Sequence, residues 1–157
     1  MKKMKIIGTG EFKKPTTQEN RSYKIPAELT EDIKEPCGIV GSGNAMAPLI
    51  PDGSVIFVDL ADKVLIENDL YVFHFPATAH RGAENLERDP WAMQPRTVIS
   101  IHEDGVLVKL ENPECKQEFI ENAALNVLGR IKLIGVPTEK EGEYLWRKVT
   151  SSRTFQS

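Results

Sequence analysis

Most of the chain consists of short runs in which apolar and polar side chains alternate, the period of two that is typical of half-buried β-strands. Turn-forming residues separate these runs, and the clearest is Asp104-Gly105, which lies between two β-branched runs and predicts a hairpin. The strand candidates are residues 5–8, 22–26, 37–41, 54–59, 68–75, 97–102, 106–111, 116–120 and 126–134. Only residues 27–33 and 83–88 indicate helical turns, so the sequence predicts a mainly β domain with few helices.

Changes in composition divide the chain into a central domain and two flanking segments. Residues 1–21 pass from a short apolar run into a polar stretch and are predicted to form an N-terminal arm, and residues 138–157 are predicted to form a polar, half-ordered C-terminal tail. The domain, residues 22–137, contains an excursion at 76–96 with no sustained period. In this excursion Trp91 and Met93 either bind a partner or pin the loop to the domain.

Length and charge are those of one soluble globular domain. The 157 residues can bury a core without disulfides or a metal, and the formal net charge of −3 leaves no overall basic footprint for nucleic acid. We therefore expect any contact with DNA to go through a separate domain. No apolar run approaches membrane-spanning length, and the basic N-terminus is not followed by the apolar region of a secretory signal. This predicts a cytoplasmic protein that does not bind membranes.

Cysteine and histidine positions give no metal-ligand pattern. Cys37 and Cys115 lie far apart and are expected to be reduced thiols. His74, His80 and His102 follow no compact ligand spacing. The sequence predicts neither a metal nor a cofactor.

The most informative segment is a predicted tight turn at residues 43–53, Gly-Asn-Ala-Met-Ala-Pro-Leu-Ile-Pro-Asp-Gly, which an aliphatic strand follows. Such a turn exposes backbone N–H groups that can hold an oxyanion, and a nucleophile would sit there. The residue at its centre is Ala45, which has no reactive group. Lys109, in the second strand of the predicted hairpin, is either an ordinary lysine on the polar face or a desolvated general base.

Together these two stretches resemble the LexA/UmuD-type serine–lysine peptidases, a family that includes the C-terminal domains of many phage repressors. In that family a serine stands where this chain has Ala45, and the general-base lysine lies in a setting similar to Val108-Lys109-Leu110. The last core strand of the family is similar to residues 127–135. The resemblance covers about residues 22–136 and implies short, strongly bent antiparallel strands.

The resemblance also implies site residues. Ala45 would occupy the nucleophile position, Lys109 would be the general base, and the backbone N–H groups of Asn44 and Ala45 would form the oxyanion hole. Because alanine has no hydroxyl, acyl transfer by this pair is impossible in the chain as given. Either the serine was replaced deliberately or this is a natural non-cleaving relative. Ser42 lies too far along the turn to act as a substitute.

Two further features depart from the family pattern. The separation between Ala45 and Lys109 is longer than is usual in the LexA branch, and the excess falls in residues 76–96. Self-cleaving members carry a small-residue-Gly scissile bond upstream of the serine. Here Cys37-Gly38 lies too close to the turn to fold back onto it, and Thr9-Gly10 fits the usual sequence poorly. Self-cleavage has then been lost, or its substrate segment is missing.

Our leading hypothesis is a catalytically silent LexA/UmuD-like peptidase-fold domain that forms the dimerising and regulatory part of an SOS- or phage-type repressor. The family's dimers predict a homodimer through the segment from Val127 to Val136, and its trigger is the activated RecA filament. The alternative is a stand-alone binding module that holds a protein partner. No helix-turn-helix precedes the first matched strand, which favours either a truncated chain or this module. Ala45 argues against a third reading, an enzyme that acts on other chains.

Overall fold

A computed structural model describes residues 2–9, 22–41, 44–74 and 93–150. Strand makes up about 48% of the structure and helix about 6%, so the predicted mainly β class is confirmed. The strands are β1 (Lys2–Thr9), β2 (Ser22–Ile25), β3 (Pro36–Val40), β4 (Val55–Asp59), β5 (Leu70–His74), β6 (Met93–Ile101), β7 (Gly105–Lys109), β8 (Glu118–Glu121), β9 (Val127–Pro137) and β10 (Tyr144–Lys148). Two short 3₁₀ helices cover Ala27–Leu29 and Asn122–Ala124.

The ten strands form one sheet in the order β2-β1-β3-β4-β9-β5-β6-β7-β8, and β10 pairs with β9 beside this path. All pairs are antiparallel except β1 with β3. Register shifts interrupt the β4–β9, β5–β9 and β6–β7 ladders. Such bulges bend strands and increase their twist, which lets one sheet curve around more than one core.

Strand β9 organises the sheet because it is long enough to pair with three strands. One side pairs with β4, while the other pairs with β5 in its first half and with β10 in its second half. β10 and β5 therefore follow one another along the same side of β9.

Both faces of β4 are buried, which explains its continuous apolar run. Ile56 and Val58 pack into one core cluster, and Val55 and Phe57 pack into another on the opposite face. A third cluster, around Tyr71 and its neighbours, lies between β5, β6, β7 and β8.

Both flanking segments contribute strands. In the predicted arm, the first strand runs over Lys2–Thr9 and pairs with β2 and β3, so it is longer than the candidate at 5–8. In the predicted tail, β10 is a regular strand, and the Trp146 ring packs 5.9 Å from that of Phe57 and 6.0 Å from that of Tyr23. Tyr144, Leu145 and Trp146 are visible in the sequence of the tail, but its polar composition indicates no regular strand.

Other boundaries differ in detail. Only Ala27–Leu29 of the predicted turn at 27–33 is helical. β6 begins at Met93, inside the predicted excursion. The helical turn predicted at 83–88 and the predictions for Trp91, His80, Ser42 and Gly10 fall outside the described residues. Within the described residues, no helix is long and apolar enough to cross a membrane.

Candidate functional site

The turn that carries Ala45 connects β3 to β4, and its base is closed by backbone hydrogen bonds. The N–H of Ser54 donates to the carbonyl of Pro51 at 3.1 Å, and Gly53 has a φ of 85°, the geometry of a type II turn. Gly41 and Ser54 continue the ladder, with the N–H of Gly41 donating to the Ser54 carbonyl at 2.7 Å. The Pro-Asp-Gly sequence thus forms the turn that it predicts.

The buried side chains of Met46 and Ile50 anchor the turn in the core. Met46 and Ile50 are 2% and 3% exposed and belong to the core cluster beneath, and the N–H of Ile50 donates to the Met46 carbonyl at 2.8 Å. The side chain of Ala45, next to Met46 in the chain, is partly exposed to solvent. Among the described residues, the N–H groups of Asn44 and Ala45 donate to no backbone carbonyl.

Asn112 holds this turn against the chain that leaves β7. Its N–H donates to the Ala45 carbonyl at 3.0 Å, and its side-chain amide donates to the Asn44 carbonyl, also at 3.0 Å. Lys109 is the last residue of β7, three positions before this contact. The structure therefore places the residues two and three positions after Lys109 against the turn that carries Ala45.

The Lys109 side chain is in an ion pair. It is 44% exposed, and its Nζ lies 4.0 Å from Oε2 of Glu111. The hydroxyl of Thr97, which is opposite Lys109 in the β6–β7 ladder, donates to the same carboxylate oxygen at 2.5 Å. This exposure agrees with an ordinary lysine on the polar face. For Lys109 to act as a general base, its amine would have to leave Glu111 and become desolvated.

Sequence reasoning missed Glu111 and Asn112, the two residues that connect Lys109 to the turn. Glu111 also approaches the turn through its backbone, since its N–H points at the Met46 sulfur at 3.4 Å. The sequence Glu-Asn-Pro after β7 indicates a turn, but nothing in it shows which loop its polar groups contact.

A cleft of about 370 Å³ opens beside Thr97 and Glu111. Leu49, Leu70, Ile134 and Val149 give it an apolar lining, and residues 147–150, at and after the end of β10, also line it. Arg147 donates to the Leu49 carbonyl at 3.0 Å. The cleft lining therefore includes two acidic side chains, Asp69 and Glu111, and two basic ones, Arg147 and Lys148.

Two other buried groups, Cys37 and Asp59, have shifted pKa values. Burial raises the pKa of the Cys37 thiol to about 12. Burial would also raise the pKa of the Asp59 carboxyl, but hydrogen bonds from the N–H groups of Glu35, Lys34 and Ala61 and the charge of Lys132 together lower it. Neither Cys37 nor Asp59 lines the cleft, and Cys37 belongs to the same core cluster as Met46 and Ile50.

The described residues include two histidines, His74 and His102. His74 ends β5, and His102 follows β6, where its Nε2 lies 2.7 Å from the Ser100 hydroxyl. Within the described ranges, no group of three histidine, cysteine, aspartate or glutamate side chains could hold a metal ion.

The segment from Val127 to Val136, predicted as the dimer interface, forms most of β9. Ile131, Leu133 and Ile134 are buried inside the monomer. Val127 and Val136 are only partly buried.

The sequence matches no protein-family model, and no curated protein matches it significantly.

Proposed function

We propose that this protein is a catalytically silent LexA/UmuD-like peptidase-fold domain that serves as the regulatory and dimerising part of an SOS- or phage-type repressor. The observation that carries this proposal is the contact that Asn112 makes with Asn44 and Ala45. This contact links the turn that carries position 45 to the chain that follows Lys109. The two stretches occur in the same order along this chain as in the family.

In the proposed parent activity, a serine at position 45 attacks a peptide carbonyl. Lys109 accepts the hydroxyl proton, and the N–H groups of Asn44 and Ala45 stabilise the oxyanion. Position 45 holds alanine here, so the arrangement can bind and orient a chain but cannot cleave it. The resemblance also implies a RecA filament as the trigger and a DNA-binding domain separate from this one.

The second candidate is a stand-alone binding module that holds a protein partner. It is favoured by the state of Lys109, whose half-exposed side chain is paired with Glu111, and by the cleft next to that pair. A domain that no longer cleaves has no need of a desolvated lysine but still needs a surface for its partner.

Restoring the hydroxyl tests the proposal. We expect Ala45→Ser to cleave its own chain or an added unstructured protein such as casein, most rapidly at alkaline pH, where more of any lysine is neutral. Adding Lys109→Ala should abolish this cleavage, and mass spectrometry would identify the new termini.

Circular dichroism of both variants provides the control, because a substitution at the partly exposed position 45 should leave the fold unchanged. An Ala45→Ser protein that is folded and inert throughout the alkaline range would contradict the proposed descent from a serine–lysine peptidase.

A further inference from the structure

The sheet ends in two short strands, β2 on one side and β8 on the other. Among the described residues, β2 pairs only with β1, and β8 pairs only with β7. Each of the two strands is four residues long. A strand at the edge of a sheet presents N–H and C=O groups with which a strand of another chain can pair. The edges of β2 and β8 are therefore the places where another chain can extend this sheet.

The edge of β8 is open to solvent. Glu118, Phe119 and Glu121 are exposed, and Phe119 keeps 43% of its surface accessible. The N–H of Asn122 donates to the Asp104 carbonyl at 3.0 Å, and hydrogen-bonded positions alternate along an antiparallel pair. The backbone groups of Phe119 and Glu121 therefore point away from β7. A strand that pairs with them also covers part of the exposed Phe119 ring.

The two edges belong to segments of opposite charge. Residues 103–121, from the turn after β6 to the end of β8, contain six acidic and two basic residues, a net charge of −4. Residues 1–25 contain seven basic and two acidic residues, a net charge of +5. Strands β1 and β2 contain no acidic residue and four lysines, Lys2, Lys3, Lys5 and Lys24. Segments of opposite charge attract each other and guide the approach of two molecules.

These charges also determine which edges can pair. Two β8 edges would bring carboxylates together, and two β2 edges would bring lysines together, and like charges on facing strands are destabilising. Short, charged edge strands commonly protect proteins against such self-pairing. A β8 edge that faces a β2 edge brings opposite charges together instead. The charges therefore oppose two of the three possible pairings and favour the third.

We propose that copies of this chain associate head to tail, with β2 of one copy adding to the β8 edge of the next copy. Each copy then uses β8 towards one neighbour and β2 towards the other, an arrangement that produces a ring or an open filament. The inference goes beyond the proposed function and does not rest on it, because it uses neither Ala45 nor the segment from Val127 to Val136.

Sedimentation of the Val136→Asp protein tests this contact in the absence of the proposed dimer. We expect the mean mass to rise with concentration at an ionic strength of about 0.01 M and to fall to that of one chain, 17.6 kDa, at about 1 M, where the screening length is only about 3 Å. A protein that keeps the mass of one chain at both ionic strengths and at every concentration would overturn the proposal. The edge charges would then serve only to prevent pairing.

Exchanging the charges tests which edges meet. In the Val136→Asp background, Glu121→Lys and Lys24→Glu should each weaken association about fivefold, because each puts like charges on facing strands. An equal mixture of the two variants should associate as tightly as their parent, since each supplies the charge that the other lacks. Lys140→Glu, at an exposed lysine outside both edges, is the control for net charge and should have little effect. Tighter association of Glu121→Lys, or no recovery in the mixture, would refute the pairing of β8 with β2.

A second pair of variants tests the backbone of the β8 edge. Phe119→Pro removes an outward N–H, which an edge strand tolerates, and should weaken association about tenfold. Phe119→Ala keeps this N–H and should weaken association less. Near-native melting temperatures for both variants show that the fold is kept. Equal effects of the two substitutions would show that the ring alone makes the contact, and the added strand would be wrong.

Discussion

At the scale of single residues, Asp59 shows how one buried charge secures the connections around the core. The carboxylate is 2% exposed and accepts hydrogen bonds from the N–H groups of Lys34, Glu35 and Ala61 at 3.0–3.1 Å. Asn at this position keeps one acceptor oxygen and offers an NH₂ group where the N–H of Lys34 needs an acceptor. We expect Asp59→Asn to lower the free energy of unfolding by about 2 kcal/mol at pH 7 in urea denaturation.

The stabilisation that the Asp59 carboxylate contributes should decrease as the pH is lowered. The lowered pKa of Asp59 means that its stabilisation is present above the unfolded-state value of about 4 and is lost as the pH falls through the folded-state value. The difference between native protein and Asp59→Asn should therefore shrink in acid. The exposed turn residue Asp104 provides the control, and Asp104→Asn should change stability by less than about 0.5 kcal/mol. A difference for Asp59→Asn that grows in acid would show that its carboxylate is not stabilised in the folded state.

At the scale of elements, β9 sets the conditions for the proposed dimer. β4 pairs with one edge of β9 from Arg130 to Gly135, and β5 and β10 pair with the other edge, so a second copy would contact the segment from Val127 to Val136 through partly exposed positions such as Val127 and Val136. Light scattering should give twice the 17.6 kDa mass of one chain, and Val136→Asp should restore the monomer mass. A native protein that stays monomeric at every concentration would refute this dimer.

At the scale of the whole molecule, local patterns predicted the strands and missed the contacts between them. The alternation around Asp104-Gly105 predicts the β6–β7 hairpin because a two-residue period and a turn are properties of neighbouring residues. β10 was missed because its order depends on Trp146 packing against Gly135 and Phe57, which are distant in sequence. The sequence motif indicated Ala45 and Lys109 because it depends on neighbouring residues. The ion pair between Lys109 and Glu111 depends on how the chain folds, so only the structure shows it.

We propose that position 45 and Lys109 form the two halves of one site from which the hydroxyl is missing. A crystal structure of Ala45→Ser at alkaline pH tests it most directly, through the distance between the serine Oγ and the lysine Nζ. We expect the amine to leave Glu111 and to come within about 3.2 Å of the hydroxyl. A lysine that remains paired with Glu111, out of hydrogen-bond reach of the serine, would contradict it.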